Sequence, residues 1–119
     1  MTINHLNLIV TDVKNAVQFF EAYFNFSCTL IKGDHVIAVL KNEEQFTLVI
    51  MASKKGDVAY PEDFHIGFMV DSTEAVEKLH KKLTDGNIAI TRAPQKIRDS
   101  YGFYFHFDNL FVEVGHYLP

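Results

Sequence analysis

The chain has 119 residues, with 15 acidic and 11 basic side chains, one cysteine and a formal charge of −4. That length suits one domain with a core of its own. The acidic balance, without a basic stripe, gives nucleic-acid binding no electrostatic footprint; the lone cysteine excludes an internal disulfide and a cysteine-built zinc site; and no apolar run approaches the roughly 20 residues of a bilayer-spanning helix.

The first segment, residues 3–10, has strand character: His5, Asn7 and Ile9 fall on one face, Leu6, Leu8 and Val10 on the other. The opening residues Met1–His5 lack the basic and long apolar regions of a secretion signal, so the expected compartment is the cytoplasm. Asp12 is placed to cap a helix, because its carboxylate can accept from the free amides of a first turn. Val13, Ala16, Val17, Phe20 and Phe24 follow at helical spacing, and Asn25 suits the left-handed stop. Three strand-like runs come next, at 27–31, 35–40 and 46–52, rich in β-branched and aliphatic residues. Cys28, on the first of them, is expected to be a small buried hydrophobe.

After a polar connection at 54–57 the pattern restarts. Residues 63–70 form a strand with His65 near its start, and Asp71 with Glu74 has the spacing of a capping box. Ala75, Val76, Leu79 and Leu83 give a helix that Gly86 ends. Closing strands are expected at 88–93, 103–107 and 110–114, with a loop at 95–102. Each half is thus strand, helix, three strands. His5…Val10-Thr11-Asp12 recurs about 60 residues later as His65…Val70-Asp71, which indicates a duplicated module, one copy near residues 1–55 and the other near 60–119.

The stretches His5–Asp12, Phe19-Phe20-Glu21, Phe64–Phe68 and Phe105–Val114 resemble the vicinal oxygen chelate superfamily of glyoxalases, bleomycin-resistance proteins and extradiol dioxygenases. The resemblance covers essentially the whole chain. It implies an α+β fold of two βαβββ modules forming a curved mixed sheet, paired across a homodimer. It also implies a divalent metal ion (Fe, Mn, Zn, Ni or Co) held by His5, His65 and Glu113, with His5 of one subunit joining His65 and Glu113 of the other.

Strand parity agrees with that set. His5, His65 and Glu113 each point away from the most regular apolar row of their own strand. Two imidazoles and a carboxylate with open positions suit a divalent ion that must also hold substrate. The glyoxalase I type adds a carboxylate on the last strand of the first module, and Val49 aligns there instead. This favours a three-ligand lyase, thiol transferase or dioxygenase over a four-ligand glyoxalase I. The turn before the last strand runs His106-Phe107-Asp108-Asn109 where relatives have Asp-Pro-Asp-Gly, so Asn109 is expected to take the φ > 0 role of glycine. His106 is the acid–base candidate, against a plain turn-stabilising role. Asn7, Val49, Arg98, Tyr101, Tyr104 and Phe111 are the substrate-contact candidates, Arg98 because its guanidinium suits a carboxylate or phosphate. His35, His80 and His116 look like surface residues. The expected function is a metal-dependent enzyme acting on a small oxygen-rich substrate, with no nucleic-acid or membrane partner. The alternative is a bleomycin-resistance-like protein that binds a small molecule without chemistry.

Overall fold

The computed structural model describes residues 1–119, which divide into two compact units, Met1–Ala59 and Tyr60–Pro119. The first unit contains β1 (His5–Val10), α1 (Val13–Tyr23), β2 (Ser27–Lys32), β3 (Ile37–Lys41) and β4 (Thr47–Ala52). Its sheet runs in the order β1-β4-β3-β2, with β1 parallel to β4 and the other pairs antiparallel. Alternation sorts the side chains: Leu8, Val10, Ala38, Leu40, Leu48 and Ile50 are buried with Val13, Ala16, Val17 and Phe20 of α1. Each large apolar side chain so buried contributes about 1.5–3 kcal/mol. Asp12 caps α1 as the sequence indicates, its carboxylate accepting from the Asn15 amide at 3.0 Å. Asn25 follows the helix at φ 59°, the left-handed conformation its short polar side chain tolerates. Cys28 is half-buried rather than buried; it lies on β2, the edge strand of the sheet, whose register with β3 shifts between Cys28 and Leu30.

The second unit contains β5 (Ile66–Met69), α2 (Thr73–Asp85), β6 (Gln95–Ile97), β7 (Ser100–Phe107) and β8 (Leu110–Tyr117). Its order, β5-β8-β7-β6, repeats that of the first, again with a parallel pair between first and last strands. Val76 and Leu83 of α2 are buried with Phe103, Phe105, Leu110, Val112 and Val114.

Four expectations need correction in this unit. Ser72, not Asp71, caps α2, its hydroxyl accepting from the Ala75 amide at 3.0 Å. Residues 88–94 make no strand. The Ile88 amide donates back to the Leu83 carbonyl at 3.0 Å and the Arg92 carbonyl meets His80 Nε2 at 3.2 Å, so groups a ladder would need are already engaged. The expected loop at 95–102 is instead a hairpin, β6 and β7 joined through Arg98 and Asp99. In the turn before β8 it is Asp108, at φ 54°, and not Asn109, that adopts positive φ. No helix is long and apolar enough to cross a membrane.

Gly102 faces Gly115 across β7 and β8. A Cβ at Gly102 would lie 2.1 Å from the Val114 carbonyl oxygen and 2.8 Å from the Gly115 Cα, both backbone atoms that cannot move aside independently. Gly102→Ala is expected to destabilise the protein by about 3 kcal/mol, read as a lowered denaturant midpoint; an unchanged midpoint would contradict this packing.

Candidate metal centre

The parallel register of β5 and β8 sets Gly67 opposite Glu113. His65 lies two residues before Gly67, so it shares the face on which Glu113 projects. The two side chains meet there, His65 Nε2 lying 3.4 Å from Glu113 Oε1. The other ring nitrogen, Nδ1, is 2.8 Å from the Asp63 carbonyl oxygen. A carbonyl can only accept, so Nδ1 carries the hydrogen and Nε2 presents a lone pair. Gly67 supplies the room: a Cβ there would sit 3.3 Å from Glu113 Oε1.

This pair fits a divalent ion. Ligand atoms about 2.0–2.2 Å from one metal, at adjacent coordination positions, are themselves roughly 3.0–3.4 Å apart. The observed 3.4 Å lies in that range, and a glycine cradle leaves the carboxylate unobstructed. The side chains are 38% and 19% exposed, which keeps an open path for an ion and a small ligand.

In the first unit His5 is prepared in the same way. Its Nδ1 lies 2.8 Å from the Asn4 side-chain oxygen, leaving Nε2 free. Asn7 and Val49 are register partners on the same face, and the Asn7 amide donates to Met51 Sδ at 3.2 Å. Asn7 follows His5 by two residues as Gly67 follows His65, so Val49 holds in the first unit the position of Glu113 in the second. Within one chain no three His, Cys, Asp or Glu side chains converge.

His65 and Glu113 line a cavity of about 690 Å³ together with Arg98, Ser100, Tyr104 and Phe111. Asp63, Asp99 and Ser100 are members that the sequence does not single out as contacts; Asp99 and Ser100 belong to the hairpin that carries Arg98, and Asp63 lies two residues before His65. Arg98 has φ 53° in that two-residue turn, a left-handed conformation that the Cβ of any residue but glycine disfavours. Tyr104 pairs with Glu113 across β7 and β8, and its ring stacks on Phe111 at 5.1 Å. Burial, and then the hydrogen bond and negative charge of Glu113, hold its hydroxyl above the usual tyrosine pKa, with Arg98 pulling the other way.

Two candidates lie elsewhere. His106 is exposed and stacks face-on against Phe111 at 4.6 Å, while His65 meets the same ring edge-on at 5.9 Å. His106 does not line the cavity that holds His65 and Glu113. Tyr101 lies on the opposite parity of β7 from Tyr104, and its hydroxyl donates to Glu77 of α2. His80 and His116 are part-buried and structural: His80 packs edge-on against Phe103 at 4.9 Å, and His116 Nδ1 meets the Val70 carbonyl at 2.9 Å. The Glu77 hydrogen bond raises the Tyr101 pKa above its usual value. Glu77→Gln is expected to bring it down toward the ordinary tyrosine value in an NMR pH titration; no downward movement would remove that contact.

A model of the Glyoxalase/Bleomycin resistance protein/Dioxygenase superfamily matches residues 2–113. A possible glyoxalase from Bacillus cereus is similar over 96% of this chain and 97% of its own, at 34% identity and TM-score 0.83. The fosfomycin resistance protein FosX of Listeria monocytogenes shares the fold at 18% identity and TM-score 0.75, over 99% of this chain and 90% of that one. Lactoylglutathione lyase from Agrobacterium tumefaciens does so at 20% identity and TM-score 0.74, over 97% and 92%. None of the curated proteins compared with the chain matches it. Two βαβββ units of like order, each with its histidine at the head of the parallel pair, and a family match over nearly the whole length place this chain in the Glyoxalase/Bleomycin resistance protein/Dioxygenase superfamily.

Proposed function

We propose that the protein is a divalent-metal-dependent enzyme that acts on a small, oxygen-rich substrate, working as a cytoplasmic homodimer. The observation that carries this reading is the 3.4 Å approach of His65 Nε2 to Glu113 Oε1 over the Gly67 cradle. In the proposed centre His65 and Glu113 hold the ion together with the partner subunit's His5. The bound ion supplies Lewis acidity toward substrate oxygens or a bound water. The chain's own residues do the rest. Asp63, through its carbonyl, keeps His65 in the tautomer that can ligate. Arg98 offers donors to substrate oxygens, the Tyr104 hydroxyl donates to Glu113 and helps to fix that carboxylate, and Phe111 gives the substrate an apolar wall. Val49, where a fourth carboxylate would stand, supports a three-ligand chemistry rather than that of a glyoxalase I. The similar structures carry fosfomycin-resistance and lactoylglutathione-lyase names, which supports enzymatic use of this fold.

Protein purified without chelator is expected to hold one metal per chain and to melt at higher temperature with added Mn, Fe, Ni or Zn. His5→Ala or Glu113→Ala should each weaken metal binding by at least ~100-fold, and Gly67→Ala, which crowds the carboxylate, by about tenfold. The pairing across subunits has its own test. A heterodimer of His5→Ala with Glu113→Ala keeps one site with all three ligands if His5 comes from the other chain, and none if it comes from the same chain. Recovery of one metal per heterodimer is expected; no recovery would place the ligands within one chain. Stoichiometric metal retained by His5→Ala would overturn the ligand set. Absence of metal, with no thermal shift, would instead point to a small-molecule binder.

A further inference from the structure

The second unit carries another cavity of about 690 Å³, and its chemistry is opposite to that of the first. The cavity with His65 is lined by three carboxylates, Asp63, Asp99 and Glu113, against one cation, Arg98. The other has no acidic lining residue and two cations, Arg92 and Lys96. Neither of these takes part in an ion pair, although the chain as a whole carries a charge of −4. Unpaired cations on an acidic protein, gathered at one concavity, make a local positive field that favours an anion.

The shape has a structural cause. β2 runs six residues and pairs along the whole of β3, whereas its counterpart β6 has only three and stops at Gln95 opposite Gly102. From Phe103 onward β7 has no strand on that side, and the segment 89–96 bounds the gap. That segment is tied down where the Arg92 carbonyl meets His80 Nε2 at 3.2 Å, and the His80 ring is itself packed on Phe103. The cavity therefore has a fixed floor. Ala89, Ala93 and Phe111 give it an apolar lining, and Ile97, Tyr104 and Phe111 are shared with the first cavity.

We propose that this cavity is a binding site for a small amphiphilic anion, its anionic head between Arg92 and Lys96 and a short apolar body along Ala89, Ala93 and Phe111. Charge-assisted hydrogen bonds supply the selectivity for the head, and the apolar lining supplies the rest. The site adjoins the cavity of the metal centre, with Ile97, Tyr104 and Phe111 lining both, while Arg92 and Lys96 line only this one.

Octanoate serves as the probe and octanol as its uncharged counterpart, each titrated into the full-length, isotopically labelled chain. Octanoate is expected to shift the amide resonances of residues 89–97 and 103–105. The double variant Arg92→Gln/Lys96→Gln should bind octanoate at least tenfold more weakly while binding octanol as the unmodified chain does. Both positions are exposed, and superposition of the remaining amide spectrum verifies the fold of the variant. Octanoate shifts confined to other regions, no octanoate binding at all, or equal octanoate affinity in the double variant would each overturn the proposal.

Discussion

The parallel pairing between the first and last strand of each unit is the constraint on which the rest of the molecule depends. Parallel partners keep a fixed register and a shared face, so one side of β5 and β8 enters the core while the other collects polar groups. Ile66 and Val112 are partners on the inward side; Gly67 and Glu113 are partners on the outward side. A slip of one residue would turn the Glu113 carboxylate into the core and expose Leu110, Val112 and Val114. The core therefore enforces the meeting of His65 with Glu113, because the arrangement that separates them is the one that cannot fold.

The same constraint explains how much was legible in the sequence. Side-chain alternation and cap chemistry are local, so the strand carrying His5, the Asp12 cap and the faces of His65 and Glu113 could all be read from residue order. What escaped depends on distant partners. Ile88 and Ile90 alternate as a strand would, yet the Ile88 amide closes the end of α2 and the Arg92 carbonyl is held by a histidine twelve residues earlier. Tyr101 and Tyr104 are three apart in β7 and so lie on opposite faces, but the start of that strand had to be known to see it. His106 neighbours the proposed ligand Glu113 in sequence, yet it stacks on Phe111 and does not line the cavity of His65 and Glu113.

The duplication has also diverged at matched positions. Gly67 over Glu113 in one unit corresponds to Asn7 over Val49 in the other, and Tyr104 beside Glu113 corresponds to Val39 beside Val49. The second unit thus holds the carboxylate, the space for it and the tyrosine that faces it. The first retains its histidine, with Asn7 and Thr47 as the other polar side chains of its parallel pair. A shared backbone plan supports two unlike surfaces because the outward face carries little of the folding energy.

The two histidine anchors differ in how they can be lost. The partner of His65 is the backbone carbonyl of Asp63, an atom present whatever residue occupies that position. The partner of His5 is the side chain of Asn4, which a residue without a short side-chain oxygen at that position would remove. The orientation of one imidazole is therefore set by the chain path itself, while that of the other depends on the side chain at a separate position.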